Sequence, residues 1–596
     1  MLSGFFHRQR WMLLPSSRSG SSRPLIAFLV IAPVLVYLFF VFAVPQILRF
    51  RFRTDLGWYD LGWYGFGPSK NYVSFGYESP RPEILEWDPE CDPSFVFLAP
   101  RGDSIAYPGP MILDAQGELV WMKHNWEITQ DFKVQQYQGQ NYLIYWEGDE
   151  IEGRGQGSWY MLDDSYTQRF QITPVGNFDG DLHEFQITKD DTALVTIYDI
   201  LPADLTPVGG PALGWIYDGL FQEIDIATGE LIFEWRASDH VPLNSTFKTF
   251  VGNGNDREAA FDYFHINSVD KDHEGNYIVS ARHTHSITCI HRDTGAIIWT
   301  LGGKLNDFTL NSPETSFSWQ HDARWHGNNT LTLFDNAASS NIDPTAVSRG
   351  MTIELDIPGR TATLRAAYYH PQVMEAVSQG SMQILPNGNV FIGWGHSAAF
   401  TEFRPNGTLL CNVHFGASAW FTFGRVVSYR TLKGSWVGHP RTVPDAEVEG
   451  RHVYVSWNGA TEVVMWRLEV WDGKDLREMT FEPRGVFEKT GFETEIEIPD
   501  DVHDEYFRLV ALDWEGNELG ISGVIQRESS GSDPYATGRL VLVICGLLLC
   551  GCLLAGLYCA IRRRLSRRAG YRAMKDDEDG PPDANDRQEY HRLLPR

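Results

Sequence analysis

The most restrictive feature of the sequence is a hairpin unit that recurs through its middle. Residues 111–121 read M-I-L-D-A-Q-G-E-L-V-W, and the same pattern returns at 223–235 (E-I-D-I-A-T-G-E-L-I-F-E-W), 290–299 (I-H-R-D-T-G-A-I-I-W) and 402–411 (E-F-R-P-N-G-T-L-L-C). In each, β-branched and aromatic residues flank a tight Asp/Asn–Gly turn, the signature of two antiparallel strands. A second unit alternates with the first, at 185–197, 265–280, 325–334 and 382–392. Two hairpins make one four-stranded sheet. Such a sheet buries both faces only by stacking against copies of itself, and about six would fit residues 94–424 at roughly 40–55 residues each. The expected fold is therefore all-β, a six-bladed β-propeller. The competing reading, an irregular β-sandwich, does not explain the repeated turn-to-Trp spacing.

The flanks divide the rest. Residues 1–24 form a basic tail, and 49–93 a Gly-, Tyr- and Pro-rich lead-in without a core of its own. Residues 425–450 read as a linker, 451–526 as a small β-sandwich of immunoglobulin or fibronectin type, and 527–539 as a stalk. Two uncharged apolar stretches, 25–48 and 540–561, are long enough to span a bilayer as helices. The second is followed by R-R-R-L-S-R-R, which places the tail 562–596 in the cytosol and the body between the spans in a lumenal or extracellular space. The first span has arginines on both sides, and its length favours an uncleaved anchor over a cleaved signal peptide. Sequons at Asn244, Asn328 and Asn406 agree with that placement.

A formal charge of −27 excludes nucleic acid as a natural partner, since phosphate binding needs a basic face. It leaves open a small anionic substrate held by a local cluster of cations. Only Cys91, Cys289 and Cys411 fall in the body, so at most one disulfide forms there, and the core must hold the fold. Oligomeric state is not readable from the sequence.

Chemistry-bearing residues recur near the ends of the predicted strands. His265 and Asn267 stand two apart, which on a regular strand aims both side chains the same way. Arg282 ends the next strand, His321 lies in Q-H-D-A, and His183 occupies the matching place in an earlier repeat. Taken singly, a strand histidine is most often structural. In a propeller, however, these positions converge on the axis.

At this level the sequence resembles the arylsulfotransferase (aryl-sulfate sulfotransferase) family, in a membrane-anchored, fungal-type form. The matching pieces include D-L-H-E-F, D-Y-F-H-I-N-S-V-D, W-T-L-G-G-K, W-Q-H-D-A-R, L-F-D-N and V-S-W-N-G-A-T-E-V, in unbroken order across residues 95–464. The resemblance implies sulfuryl transfer from a phenolic sulfate ester to a phenol through a sulfo-histidine, without a nucleotide sulfate donor or other cofactor. It makes His321 the nucleophile and sets His265, Asn267, Arg282 and His183 around the sulfuryl group. Two other readings compete. In one, a metal-dependent hydrolase uses His183, His265, His283, His285 and His321 with Asp322 and Asp335. In the other, the propeller is a non-catalytic binding scaffold.

Overall fold

The computed structural model describes residues 57–124, 128–338, 347–471, 480–503 and 505–527. Six antiparallel sheets follow one another along the chain. Their innermost strands are Ile128–Tyr137, Phe185–Ile187, Ile266–Lys271, His321–His326, Ser381–Ile384 and Thr431–Gly434. From each, three further strands run outward in up-and-down order. Neighbouring sheets pack face to face, and their apolar faces interlock through residues such as Trp146, Trp159, Phe221, Tyr277 and Trp394, all fully buried. The result is a propeller-like all-β body.

The ring closes where the sequence reads a linker. Thr431–Gly434 lies inside 425–450, yet it pairs with Phe95–Leu98 and becomes the innermost strand of the sheet completed by Met111–Leu113 and Leu119–Met122. A four-residue T-L-K-G segment carries no alternation to betray it. The lead-in is likewise part of the body. Glu83–Trp87 adds a fifth strand to the last sheet beside Leu409–His414, and a disulfide joins Cys91 to Cys411 beside it. Cys289 is free and buried.

The six innermost strands meet around a buried network of ions. Arg430 donates to Asp131 at 2.8 Å, to Glu184 at 3.0 and 3.2 Å and to the Asn267 carbonyl at 3.1 Å. Lys133 joins Asp131 to Glu184 at 2.7 and 3.2 Å, and Arg324 joins Glu184 to Asp322 at 2.7 and 2.8 Å. The Met382 N–H donates to Asp322 at 3.1 Å and brings in the last strand. Three carboxylates thus meet three cations, with no net charge left over. Burial would raise Glu184, but Arg324, Arg430 and Lys133 hold it far below the carboxylate range.

After the propeller, Asp445–Glu449, His452–Ser456 and Glu493–Glu497 form one sheet, and Glu482–Glu488, Met465–Trp471, Tyr506–Leu512 and Glu518–Ile521 a second. Val453, Trp466, Leu468 and Phe507 fill the space between them, as a sandwich requires. Its first strand begins six residues before the predicted boundary at 451. Asn458 of the W-N-G-A-T segment docks it, its amide exchanging two 2.9 Å hydrogen bonds with the Met122 backbone. Among the described residues no helix is long and apolar enough to cross a membrane; the predicted spans at 25–48 and 540–561 lie outside them.

Removing one member of the axial network strands the opposite charges in the interior. Glu184→Leu should lower unfolding free energy by about 3–5 kcal/mol in denaturant titration. Arg365→Ala, which breaks the exposed pair with Glu354, should leave the midpoint where it is.

Candidate functional site

A cavity of about 240 Å³ opens at the ends where the innermost strands begin, directly above the axial ions. His183, His265, Arg282, His283, His321 and Tyr429 line it, with Arg101, Arg154 and Lys248 on the same walls. The strands reach it by leaving regular geometry. Asp131, His265 and Asp322 have φ of 52°, 57° and 54°, and the ladder register shifts beside each. These bulges re-aim side chains toward the axis at a local cost in strain.

His321 holds the best-defined position. Its Nδ1 donates to Asn336 Oδ1 at 2.7 Å. The Asn336 amide nitrogen donates to the carbonyls of Ala376 and Gln379 at 2.7 and 2.9 Å, which fixes the oxygen toward the ring. The proton therefore sits on Nδ1, and Nε2 keeps its lone pair, touched only by the Gln379 N–H at 3.3 Å. Burial, and then the Arg282 cation, push His321 well below the ordinary histidine value. It is neutral at pH 7, as a nitrogen nucleophile must be.

Two further histidines are held by carboxylates. His183 Nδ1 lies 2.6 Å from Asp181, and His265 Nδ1 lies 2.6 Å from Asp262. Their rings meet edge to face at 4.9 Å, and His265 lies 4.5 Å from His283. Burial lowers His265 to about 4 against the pull of Asp262, and burial also holds His283 well below the ordinary histidine value. Burial alone would raise Asp262, but His265, His283 and Arg154 keep it ionised. Asp181 stays ionised in the same way through His183 and the Gly155 N–H.

Cations complete the walls. Arg282 donates to the Val377 carbonyl at 2.9 Å, contacts His283 Nε2 at 3.1 Å and lies 4.9 Å over the Trp319 ring. Its Nε is buried without a partner, and burial lowers it to about 10, so it stays charged at pH 7. Arg154 stacks 3.6 Å over Tyr217 and reaches Asp262 at 3.3 Å. Lys248 is lowered by burial.

Four of the five residues singled out in the sequence thus share one cavity. Asn267 does not line it. His265 leaves the strand through its positive φ, which breaks the two-residue alternation, and Asn267 instead donates to the Gln320 carbonyl at 2.7 Å, binding its sheet to the next. The metal-ligand reading also scatters. Asp322 belongs to the axial network and Asp335 pairs with Arg349 at 3.0 Å. His285 stacks flat on Phe247 at 4.1 Å. Among the described residues Asp262, His265 and His283 come close enough to share an ion. Their facing atoms, however, are already joined, with His265 Nδ1 at Asp262 Oδ2 and His283 Nδ1 at the Asp262 carbonyl at 2.7 Å. The Arg282 cation also occupies the far side of His283. In this structure the three donors are committed to one another and share the cavity with Arg282, Arg154 and Lys248. Asp181, Asp262, Asn336, Arg154 and Tyr429 escape a sequence reading. Asp262 and Asn336 lie within F-D-Y-F-H-I-N and L-F-D-N, so their spacing from His265 and His321 was the available signal.

The family model of arylsulfotransferase (ASST) matches residues 133–416, just under half of the chain, and takes in every candidate residue named above except Arg101 and Tyr429. A search of curated proteins gave no significant match. Among solved structures the chain is similar to a protein of unknown function from Bacteroides caccae (13% identity, 57% of this chain and 98% of that one, TM-score 0.33). It is also similar to the periplasmic gluconolactonase of Pseudomonas aeruginosa (11%, 68% and 99%, 0.32) and to the virginiamycin B lyase of Staphylococcus aureus (8%, 64% and 97%, 0.28). At these scores none of them bears on function.

The buried neutral histidines make stability depend on pH. His265 and His285 have folded values of about 4, below the unfolded value near 6.5, so the unfolded chain binds more protons between those limits. Stability should therefore fall as pH drops from about 6.5 toward 4 and stay level above about 7. Melting temperatures across that range check this, and His285→Phe should flatten part of the slope.

Proposed function

We propose that the cavity transfers a sulfuryl group from an aryl sulfate to a phenol, with His321 as the relay. The observation that carries this reading is the pinned tautomer of His321, a neutral imidazole with its Nε2 lone pair in a cavity rimmed by Arg282, Arg154, Lys248 and Arg101. In the first half-reaction Nε2 forms a bond to sulfur while the sulfur–aryl oxygen bond breaks. The electron pair leaves with the phenolate, which then takes up a proton. In the second, the acceptor hydroxyl oxygen bonds to sulfur, the N–S bond breaks and the hydroxyl proton passes to a base. His265 and His183 suit that exchange, since each commits Nδ1 to a carboxylate and leaves Nε2 for proton transfer. Negative charge spreads over the sulfuryl oxygens during transfer, and fixed guanidinium and ammonium groups stabilise it without reorganising.

In this reading the six sheets are the six blades of a propeller. A membrane anchor at 25–48 and a second span at 540–561 hold the body on the lumenal or extracellular side. Asn244, Asn328 and Asn406 are all exposed, as glycan acceptors must be. The domains are then 94–424 extended by the closing strand at Thr431–Gly434, followed by the sandwich.

The full-length protein should release phenol from a chromogenic aryl sulfate, faster with an added phenol acceptor and with parallel double-reciprocal plots. His321→Ala should cut this on the order of 10⁴-fold or more while leaving the melting temperature near that of the parent. Asn336→Leu should lower kcat more than it raises KM, because it frees the imidazole to take the other tautomer. Chelator should have no effect. Turnover that survives in His321→Ala would refute the relay.

A further inference from the structure

Outside the cavity, the feature that stands apart is an aromatic patch at the start of the described chain. Trp58, Trp63 and Tyr64 are 64%, 73% and 57% exposed, and Leu61 between them is 40% exposed. A loose end would explain such exposure, but this segment is not loose. Tyr59 and Asp60 are buried. The Tyr59 hydroxyl donates to the carbonyls of Arg81 and His414 at 2.9 and 3.2 Å, and Asp60 accepts from His414 Nδ1 at 2.7 Å. The Ala419 N–H donates to the Asp60 carbonyl, and Phe66 packs on Trp420 at 4.4 Å. Four large apolar side chains are thus held outward by an anchored backbone. That is an expensive surface to show to water, and its sequence, G-W-Y-D-L-G-W-Y-G-F, has the composition of the aromatic belts found at bilayer interfaces.

The patch also has a fixed place in the molecule. It rests on the segment 415–427, which leads into Tyr429 and the strand Thr431–Gly434, and that segment pairs with Arg101 through Val427. Both Tyr429 and Arg101 line the cavity. The patch and the cavity mouth therefore lie at the same end of the sheets. In sequence, the uncharged stretch 25–48 ends ten residues before Trp58, and Arg49, Arg51 and Arg53 stand between them. A chain of that length spans at most about 35 Å.

We propose that Trp58, Leu61, Trp63 and Tyr64 seat in the headgroup region of the bilayer and set the cavity-bearing end of the propeller at the membrane surface. This rests on the membrane anchoring proposed above. The anchor supplies the tether, the intervening arginines suit anionic headgroups, and the aromatic rings, apolar in body and polar at the Trp N–H and Tyr O–H, fix the orientation.

The test uses the full chain in phosphatidylcholine vesicles carrying a lipid with a nitroxide near the headgroup, read by quenching of tryptophan emission. Neither predicted span contains tryptophan. The parent should be quenched. The double variant Trp58→Ser, Trp63→Ser should lose most of that quenching. Trp514→Ser, which removes an equally exposed tryptophan of the sandwich, should keep it. Alkaline carbonate extraction separates the two ideas. A chain that stays with the membrane but is not quenched, or is quenched equally in the double variant, overturns the seating alone. A chain released by carbonate and not quenched overturns the anchor as well.

Discussion

The ion network on the axis is the interaction on which everything else in this molecule rests. Six sheets can stack into a ring through their apolar faces, but the strand ends they bring together crowd backbone and side chains into a narrow centre. Here Arg430, Arg324 and Lys133 meet Asp131, Glu184 and Asp322, and the Asn267 carbonyl, which accepts from Arg430, and the Met382 N–H, which donates to Asp322, include the two sheets that supply no charge. Hydrophobic side chains of similar volume would fill the space as well or better. What charge pairs add is geometry, because each donor accepts only a particular placement of its partner. The network thus fixes the relative register of all six innermost strands.

That register is what builds the site. The same strands that close the axis below carry His183, His265 and His321 at their beginnings above. The positive φ at Asp131, His265 and Asp322 serves both ends, since each bulge turns one residue into the network or the cavity while the next continues the ladder. Below the cavity the charges cancel. On its walls Arg282 has an unpartnered buried Nε and Lys248 forms no ion pair with a carboxylate among the described residues, while Arg154 is paired with Asp262 and Glu152 and Arg101 with Glu150. Arg101, Arg154, Lys248 and Arg282 thus face Glu150, Glu152 and Asp262 around the cavity, a local surplus of cation within a chain whose net charge is strongly negative.

Much of this was legible in the sequence because it repeats. The turn spacing marks the hairpins at 111–121, 223–235, 290–299 and 402–411 and those alternating with them, though not the sheet at 128–172 or the pair Arg349–Asp356 and Thr361–Tyr369, and the histidines are noticeable because they fall at matching points of successive repeats. What stayed hidden lacks a period. The closing strand Thr431–Gly434 is four residues long and pairs with a strand more than three hundred residues earlier, so no local pattern announces it. Arg430 precedes it and shared its obscurity. Asn267 was misread because alternation was assumed where the backbone bulges. Asp262 and Asn336, which orient His265 and His321, look like ordinary strand-end residues until the fold brings them to the rings.

The measurement that bears most directly on this account is the mass of the peptide containing His321. The full-length protein would be mixed with an aryl sulfate in the absence of acceptor, stopped at mildly alkaline pH and digested. A gain equal to one SO₃ on that peptide, absent in His321→Ala and discharged by added phenol, is the predicted result. Phenol release with no labelled histidine, or with the label on another residue, would contradict it.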